Sequence, residues 1–306
     1  MLSILIPTYN YNITQLVGDL HHQATDLEIE FEIIVMEDGS EKYVDENSTI
    51  CQLQNCRHVI LDKNIGRSCI RNRLAEESKY DYLLFLDCDA RVPNQNFLYK
   101  YLAFCKEPCV VLGGRIYDYK NTDPQHSLLR KYGTEKERND LKNLKQRHQY
   151  PVFTSPNFLI ARSIFLKVRF DESIVGYGHE DTIFGVRLNE LNVDFNFIDN
   201  PVVHIGLESN SVFIKKTEES ISKLYQLFVS DKYPSLKEAS KILNVFCRLQ
   251  KLHMVSLLSL KFDLLKPLFI ANLRGRNPSL VIYDLYKLLY LCKLHVSADK
   301  MADGVA

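Results

Sequence analysis

The chain has 306 residues with 38 Lys+Arg and 38 Asp+Glu, a formal net charge of +0, so it carries no charge signature of a nucleic-acid or other polyanion binder. Its 46% apolar and 25% charged residues, with 17 Tyr and 16 Phe, exclude a disordered chain. That length buries a real core without staples, as one large α/β domain with an appendage or as two modest domains.

Short β-branched or apolar runs at 2–6, 31–36, 57–61 and 82–87 alternate with helical or helix-loop segments at 12–24, 41–55 and 66–79. This alternation predicts a parallel sheet wound with helices. In open sheets of that kind ligands bind outside the carboxyl ends of the strands, where polar clusters such as Glu37-Asp38-Gly39-Ser40 are expected to converge. From 109 to 205 the pattern is less regular, with strand-like 109–113, 152–161 and 194–198 and a helix at about 179–192. The charged stretch 131–147 reads as a surface helix or a mobile loop. After 211 the chain reads as helices at roughly 211–230, 235–252, 254–273 and 279–296, broken by Pro234, Pro267, Gly275 and Pro278.

Residues 235–306 hold 11 Lys+Arg against 5 Asp+Glu, a basic +6 appendage on a body of −6. The eight cysteines include no Cys-x-x-Cys pair and read as reduced thiols of a cytoplasmic protein. Leu2 to Ile6 already reads as a buried strand without a cationic leader, and the uncharged stretch 252–260 is too short for a bilayer. Neither a signal peptide nor a membrane span is expected.

Asp87-Cys88-Asp89 follows the apolar run 82–86, which puts two carboxylates at the mouth of a buried strand. One can ligate a divalent cation while the other binds a sugar or ribose hydroxyl, and hard oxygen ligands suit Mn²⁺ or Mg²⁺. A bare Asp-x-Asp is also a common polar strand end. Its flanks are more specific: Ile6-Pro7-Thr8-Tyr9-Asn10, Met36-Glu37-Asp38-Gly39-Ser40, and Asn64-Ile65-Gly66-Arg67-Ser68 with Arg71-Asn72.

The order and spacing of these four motifs resemble the family 2 glycosyltransferases with a GT-A fold. The resemblance implies a Rossmann-like wound sheet over 1–210, in a nucleotide-sugar half 1–108 and an acceptor half 109–210, with a helical extension at 211–306. It assigns Pro7, Thr8, Tyr9, Asp38, Arg71, Asp87 and Cys88 to the donor: Thr8 and Tyr9 at the nucleobase, Asp38 at the uracil imide, Arg71 between base and phosphate, Asp87 at the ribose. Asp89 would hold the metal. Glu37 stands where the family more often has Asp.

Gly176-Tyr177-Gly178-His179-Glu180-Asp181 precedes helical apolar spacing and is similar to the Gly-aromatic-Gly-x-Glu-Asp element of this family and of β-galactosyl and N-acetylgalactosaminyl transferases. Adjacent acids also suit a helix N-terminus with no catalytic task. By the match, Asp181 is the base, Glu180 orients hydroxyls, and Tyr177 and Gly178 line the sugar pocket. Tyr177 replaces the Trp of many relatives. His204, after a short apolar strand, matches a His that completes the metal site, and imidazole suits Mn²⁺. Gly113-Gly114-Arg115 and 154–158 resemble pocket-shaping segments without assigning side chains.

The implied partners are a nucleotide-sugar donor and a carbohydrate or lipid-linked glycan acceptor, and nucleic acid is not expected. The basic tail reads either as a subdomain packed on the body or as a peripheral contact with the inner membrane surface. Two other classes compete. A sugar nucleotidyltransferase needs a Gly-rich basic loop after the first strand, which Pro7-Thr8-Tyr9-Asn10 is not. A non-catalytic nucleotide-sugar-binding module would show loss of Asp89 or Asp181, and both are present.

Overall fold

The computed structural model describes residues 1–106, 108–117, 123–144 and 153–303. In chain order the first half holds β1 (Leu2–Thr8), α1 (Thr14–Asp26), β2 (Phe31–Glu37), α2 (Val44–Ser48), β3 (Cys56–Ile60), α3 (Arg67–Glu77), β4 (Tyr82–Leu86), β5 (Ala90–Arg91) and α4 (Phe97–Leu102). It continues with β6 (Val110–Leu112), β7 (Arg115–Tyr117), α5 (Ser127–Leu144), β8 (Asn157–Ala161), α6 (Arg162–Val168), α7 (Glu180–Glu190), β9 (Phe195–Phe197) and β10 (Val202–His204). Five helices follow: α8 (Asn210–Val229), α9 (Leu236–Ala239), α10 (Lys241–Lys251), α11 (Val255–Leu273) and α12 (Leu280–Asp303).

The main sheet runs β3-β2-β1-β4-β8-β6-β9, and β5-β10-β7 form a small second sheet. β1, β2, β3 and β4 are parallel, whereas β8 is antiparallel to both β4 and β6. Side-chain alternation sends Leu2, Ile4 and Ile6 of β1 and Ile33 and Val35 of β2 to one face, against Leu16, Val17 and Leu20 of α1. Leu5, Ile34, Met36, Leu83 and Phe85 go to the other, against Ile70, Leu74 and Ala75 of α3. There phenyl rings fill the layer: Phe85 stacks on Phe158 at 4.8 Å and Phe170 on Phe184 at 4.2 Å. Each such side chain contributes about 1.5–3 kcal/mol on burial; both faces are covered, and the strand runs are apolar apart from polar pairs such as Ser3, whose hydroxyl donates to Glu32 at 2.6 Å.

By contacts, residues 1–118, 139–175 and 180–206 form one unit, and 119–138, 176–179 and 207–306 a second. Within the second unit α8 opens on Ser209, whose hydroxyl accepts from Val212 N. Buried Asn210 accepts from Leu128 N (2.9 Å) and donates to Pro124 O (3.0 Å), which ties the start of α5 to the tail helices. The charged stretch 131–144 is thus helical, and 145–147 lie outside the described residues, as does position 152 of the strand-like segment 152–161.

Two expectations for the tail are corrected. Pro267 does not end a helix: it lies inside α11, where it removes one backbone donor. Tyr286 of α12 packs on Phe262 before it and on Phe269 after it, at 5.5 and 6.2 Å, and holds the helix through the gap. The segment 235–252 is two helices, because Ser240 leaves helical geometry and its hydroxyl caps Leu243 N.

Candidate active site

β1, β2 and β4 end side by side, with Thr8 opposite Glu37 in register. Asp38 N donates to Thr8 O at 2.8 Å, which pins the first two strand ends together. The Asp38 carboxylate accepts from Ile65 N (2.6 Å) and Gly66 N (3.1 Å) and so anchors the loop that enters α3. Burial pushes its carboxyl up, and those two backbone donors oppose the shift. Gly39 has φ +68, and a Cβ there would lie 2.5 Å from Asn64 N, so the loop requires glycine. Thr8 is buried with its hydroxyl toward Ile6 O (3.3 Å), Pro7 is half-buried, and Tyr9 is exposed.

Beneath this edge Glu37, fully buried, accepts from Ser40 Oγ (2.5 Å) and Asn47 Nδ2 (2.7 Å) and lies 3.1 Å from His58 Nε2. Asn47 also donates to Tyr11 O and accepts from Ile13 N, which joins the loops after β1 and β2. Burial would push the Glu37 carboxyl up, but hydrogen bonds from His58, Ser40 and Asn47 outweigh it and hold the group below its ordinary value of 4.5. Its ionised form therefore stabilises the fold above the unfolded-state value, and the contribution is lost as pH falls through the lower folded value. Glu37→Gln replaces an acceptor with a donor among donors. It is expected to cost about 1–3 kcal/mol at pH 7 and to flatten the loss of stability below pH 4.5. Urea unfolding at several pH values checks both; an unchanged acid limb contradicts the account.

α3 carries Arg71 into the site, where the guanidinium is 4% exposed. Its Nη2 donates to Asp87 Oδ1 at 2.9 Å, its Nη1 lies 3.6 Å from Glu180 Oε1, and the group sits 5.4 Å from the centre of the Phe170 ring. Nε and Nη1 have no hydrogen-bond partner among the described residues, and neither has the buried Ser68 Oγ, one turn nearer the helix N-terminus. One turn before Arg71, Arg67 Nη1 lies 3.7 Å from the same Glu180 oxygen. Arg67 was quoted in the sequence motif without a role; its spacing of four from Arg71 is the signal that puts both on one helix face.

β4 ends at Leu86, and Ala90 N donates to Asp87 O (3.2 Å), so the chain turns between the two carboxylates. Asp89 meets His204, with Oδ2 3.3 Å from Nδ1. The small sheet makes this pair, since Ala90 faces His204 in the register of β5 and β10. Burial would push Asp89 up, yet the His204 hydrogen bond and the charges of His204, Arg115 and Arg67 hold it below the usual value. Arg115 is a second residue that sequence reasoning left unassigned. Gly113 beside it serves packing: a Cβ would meet Tyr101 Oη at 2.1 Å, next to the hydrogen bond from Tyr101 to Asn157. Cys88 lies between the two carboxylates. Its side chain packs on the α1-side core and burial pushes its thiol up to about 12, so a contact of Cys88 with the donor falls to its backbone.

Glu180 and Asp181 open α7, where the helix dipole favours acids. Glu180 is 5% exposed and faces the two arginines. Burial pushes its carboxyl up and Asp181 adds to that, while Arg71 and Arg67 oppose it. Asp181 is half-buried; its Oδ1 accepts from Thr182 N at 2.7 Å and Thr182 Oγ1 at 3.4 Å. The edge of the first unit therefore brings together Arg67, Arg71, Asp87, Glu180, Asp89 and His204. Tyr177 and Gly178 belong to the second unit, where Lys216 Nζ lies 5.0 Å from the Tyr177 ring and a Cβ on Gly178 would meet Ser220 Oγ at 2.7 Å.

The profile of Glycosyl transferase family 2 matches residues 3–169, more than half of the chain. Hyaluronan synthase of Pasteurella multocida is 29% identical over 238 residues, which cover 65% of this chain; the chain spans 24% of that protein's length. The mannosyltransferase PcManGT of Pyrobaculum calidifontis, in complex with GDP-Man and Mn²⁺, superposes with a TM-score of 0.54 at 12% identity, over 96% of this chain and 86% of that one. S. aureus TarS 1-349 with UDP-GlcNAc gives 0.51 at 18% identity, over 94% and 90%. The chain belongs to glycosyl transferase family 2, and its wound sheet with helices after it is the GT-A fold.

Proposed function

We propose that this chain is an inverting transferase that moves a sugar from a UDP-linked donor to a carbohydrate acceptor hydroxyl in surface glycan synthesis. The observation that carries the reading is Arg71, a buried side chain at the carboxyl edge of the sheet with two guanidinium nitrogens that have no hydrogen-bond partner among the described residues. Buried donors left unpaired are costly, and the oxygens of a nucleotide diphosphate would satisfy them. The orphaned Ser68 hydroxyl near the N-terminus of α3 fits the same anion. Thr8, Tyr9 and Asp38 border the nucleobase, and Asp38 keeps lone pairs beyond its two backbone donors for an imide N–H. Asp87, held through Oδ1 by Arg71, takes the ribose side.

Asp89 and His204 would hold the divalent cation. No group of three His, Cys, Asp or Glu side chains that could hold a metal occurs among the described residues. A carboxylate and an imidazole 3.3 Å apart fit Mn²⁺ or Mg²⁺ whose remaining ligands are diphosphate oxygens, and the Mn²⁺ and GDP-Man of PcManGT support that set. When bound, the cation neutralises charge on the leaving diphosphate. Asp181 takes the acceptor hydroxyl's proton while the acceptor oxygen bonds to the anomeric carbon. On the opposite face the bond from that carbon to the diphosphate breaks, which turns an α-linked donor into a β-linkage. Glu180 holds Arg67 and Arg71 in place.

The eight cysteines are free thiols, which supports a cytoplasmic setting. Thermal unfolding against a panel of nucleotide sugars tests the reading. A UDP-sugar with Mn²⁺ should stabilise by about 2.7 kcal/mol at a hundredfold excess over its dissociation constant, a rise of several degrees. If no UDP-sugar raises the midpoint, the donor assignment fails.

A further inference from the structure

α11 presents a row of leucines to solvent: Leu257, Leu260, Leu264 and Leu268 are 53%, 75%, 77% and 67% exposed. Spacings of three, four and four residues put them on one stripe of the helix. The opposite face is committed to packing, with Val255, Ser259, Phe262, Phe269 and Leu273 buried. Because Phe262 and Phe269 clasp Tyr286 of α12, the helix cannot rotate to hide its leucines.

The charges around the stripe have one sign. Lys261 lies within it, exposed Lys251 precedes it, and exposed Arg274 and Arg276 follow it. The single acid of α11, Asp263, is on the flank and paired with Lys293. No helix is long and apolar enough to cross a membrane among the described residues. α11 is apolar on both faces, and with its inner face packed it leaves an unpartnered leucine stripe in solvent with cations along and beyond it, a surface that fits the acyl boundary and headgroups of an anionic lipid interface. A second copy docked through the same face would bring basic ends together with no acid to compensate.

We propose that α11 is a peripheral membrane contact, lying parallel to an anionic lipid surface with its four leucines in the acyl boundary and Lys261, Lys251, Arg274 and Arg276 on headgroup phosphates. Both parts are needed: the cations choose anionic lipid, and the leucines keep the helix there when salt screens the charges. The contact is independent of which donor or acceptor the enzyme uses.

Co-sedimentation of the full chain tests it, with vesicles of phosphatidylcholine alone and of phosphatidylcholine and phosphatidylglycerol in equal parts. The chain should sediment with the anionic vesicles and poorly with the neutral ones. Leu260→Ser with Leu264→Ser should lower the bound fraction roughly tenfold or more at an unchanged unfolding midpoint, since both side chains are exposed. Lys261→Glu should weaken binding as well. Three results overturn the proposal: no binding to anionic vesicles, binding indifferent to the leucine changes, or a wild-type oligomer that the leucine changes dissociate.

Discussion

Asp181→Asn is expected to lower the turnover of sugar transfer by roughly 10²–10⁴-fold, the usual contribution of a positioned proton acceptor, and to leave UDP affinity unchanged. The substitution keeps size and shape, and an amide oxygen can still accept from Thr182 N as Oδ1 does now. What disappears is the basic oxygen proposed to take the hydroxyl proton. The neighbouring acid cannot substitute for it, because Glu180 is turned to Arg67 and Arg71 and is buried. Asp181 is the half-buried member of the pair, as a group meeting an incoming acceptor must be. Steady-state turnover and UDP titration on the same preparation separate the two effects. Transfer at near wild-type rate would reduce Asp181 to an acid favoured by the dipole at the start of α7.

The parallel half of the fold was legible because β1, β2 and β4 are covered on both faces, so their runs are apolar but for the bonded pair Ser3 and Glu32, and their ends are marked by polar motifs. The pairing of Asp89 with His204 followed from resemblance alone; β5 and β10 have two and three residues, too few for periodicity to declare them. The roles given to Asp181 and Glu180 also came from the resemblance and not from the residues themselves. Both acids suit a helix N-terminus, and only the positions of Arg67 and Arg71 show which one faces the cations. The direction of the Cys88 side chain was not legible, because motif membership says nothing about it, and its thiol turns into the core. Pro267 was misread because local propensity ignores the Tyr286 clasp across it.

The second large effect concerns the cation. Asp89 is kept ionised by His204, Arg115 and Arg67 against the pull of burial, which suits a carboxylate that must stay charged to bind metal. Held by Asp89 and His204 as proposed, a divalent cation would add about 10²-fold or more to the affinity for the nucleotide. Asp89→Ala removes the carboxylate and leaves the imidazole alone, so the metal-dependent part of that affinity should vanish. The site tolerates the change locally, since Gly206 lies against the Asp89 side chain and a smaller residue creates no clash. Arg71 and Ser68 are untouched, so the variant should retain the weak, metal-independent binding seen by the wild-type protein in chelator. Calorimetric titration of UDP, with Mn²⁺ and with chelator, into wild-type protein and Asp89→Ala therefore decides whether nucleotide binding runs through a metal at Asp89. Affinity should fall about 10²-fold in chelator for the wild-type chain and be the same with or without Mn²⁺ for the variant; equal UDP affinity with and without metal in the wild-type chain would rule out the metal site.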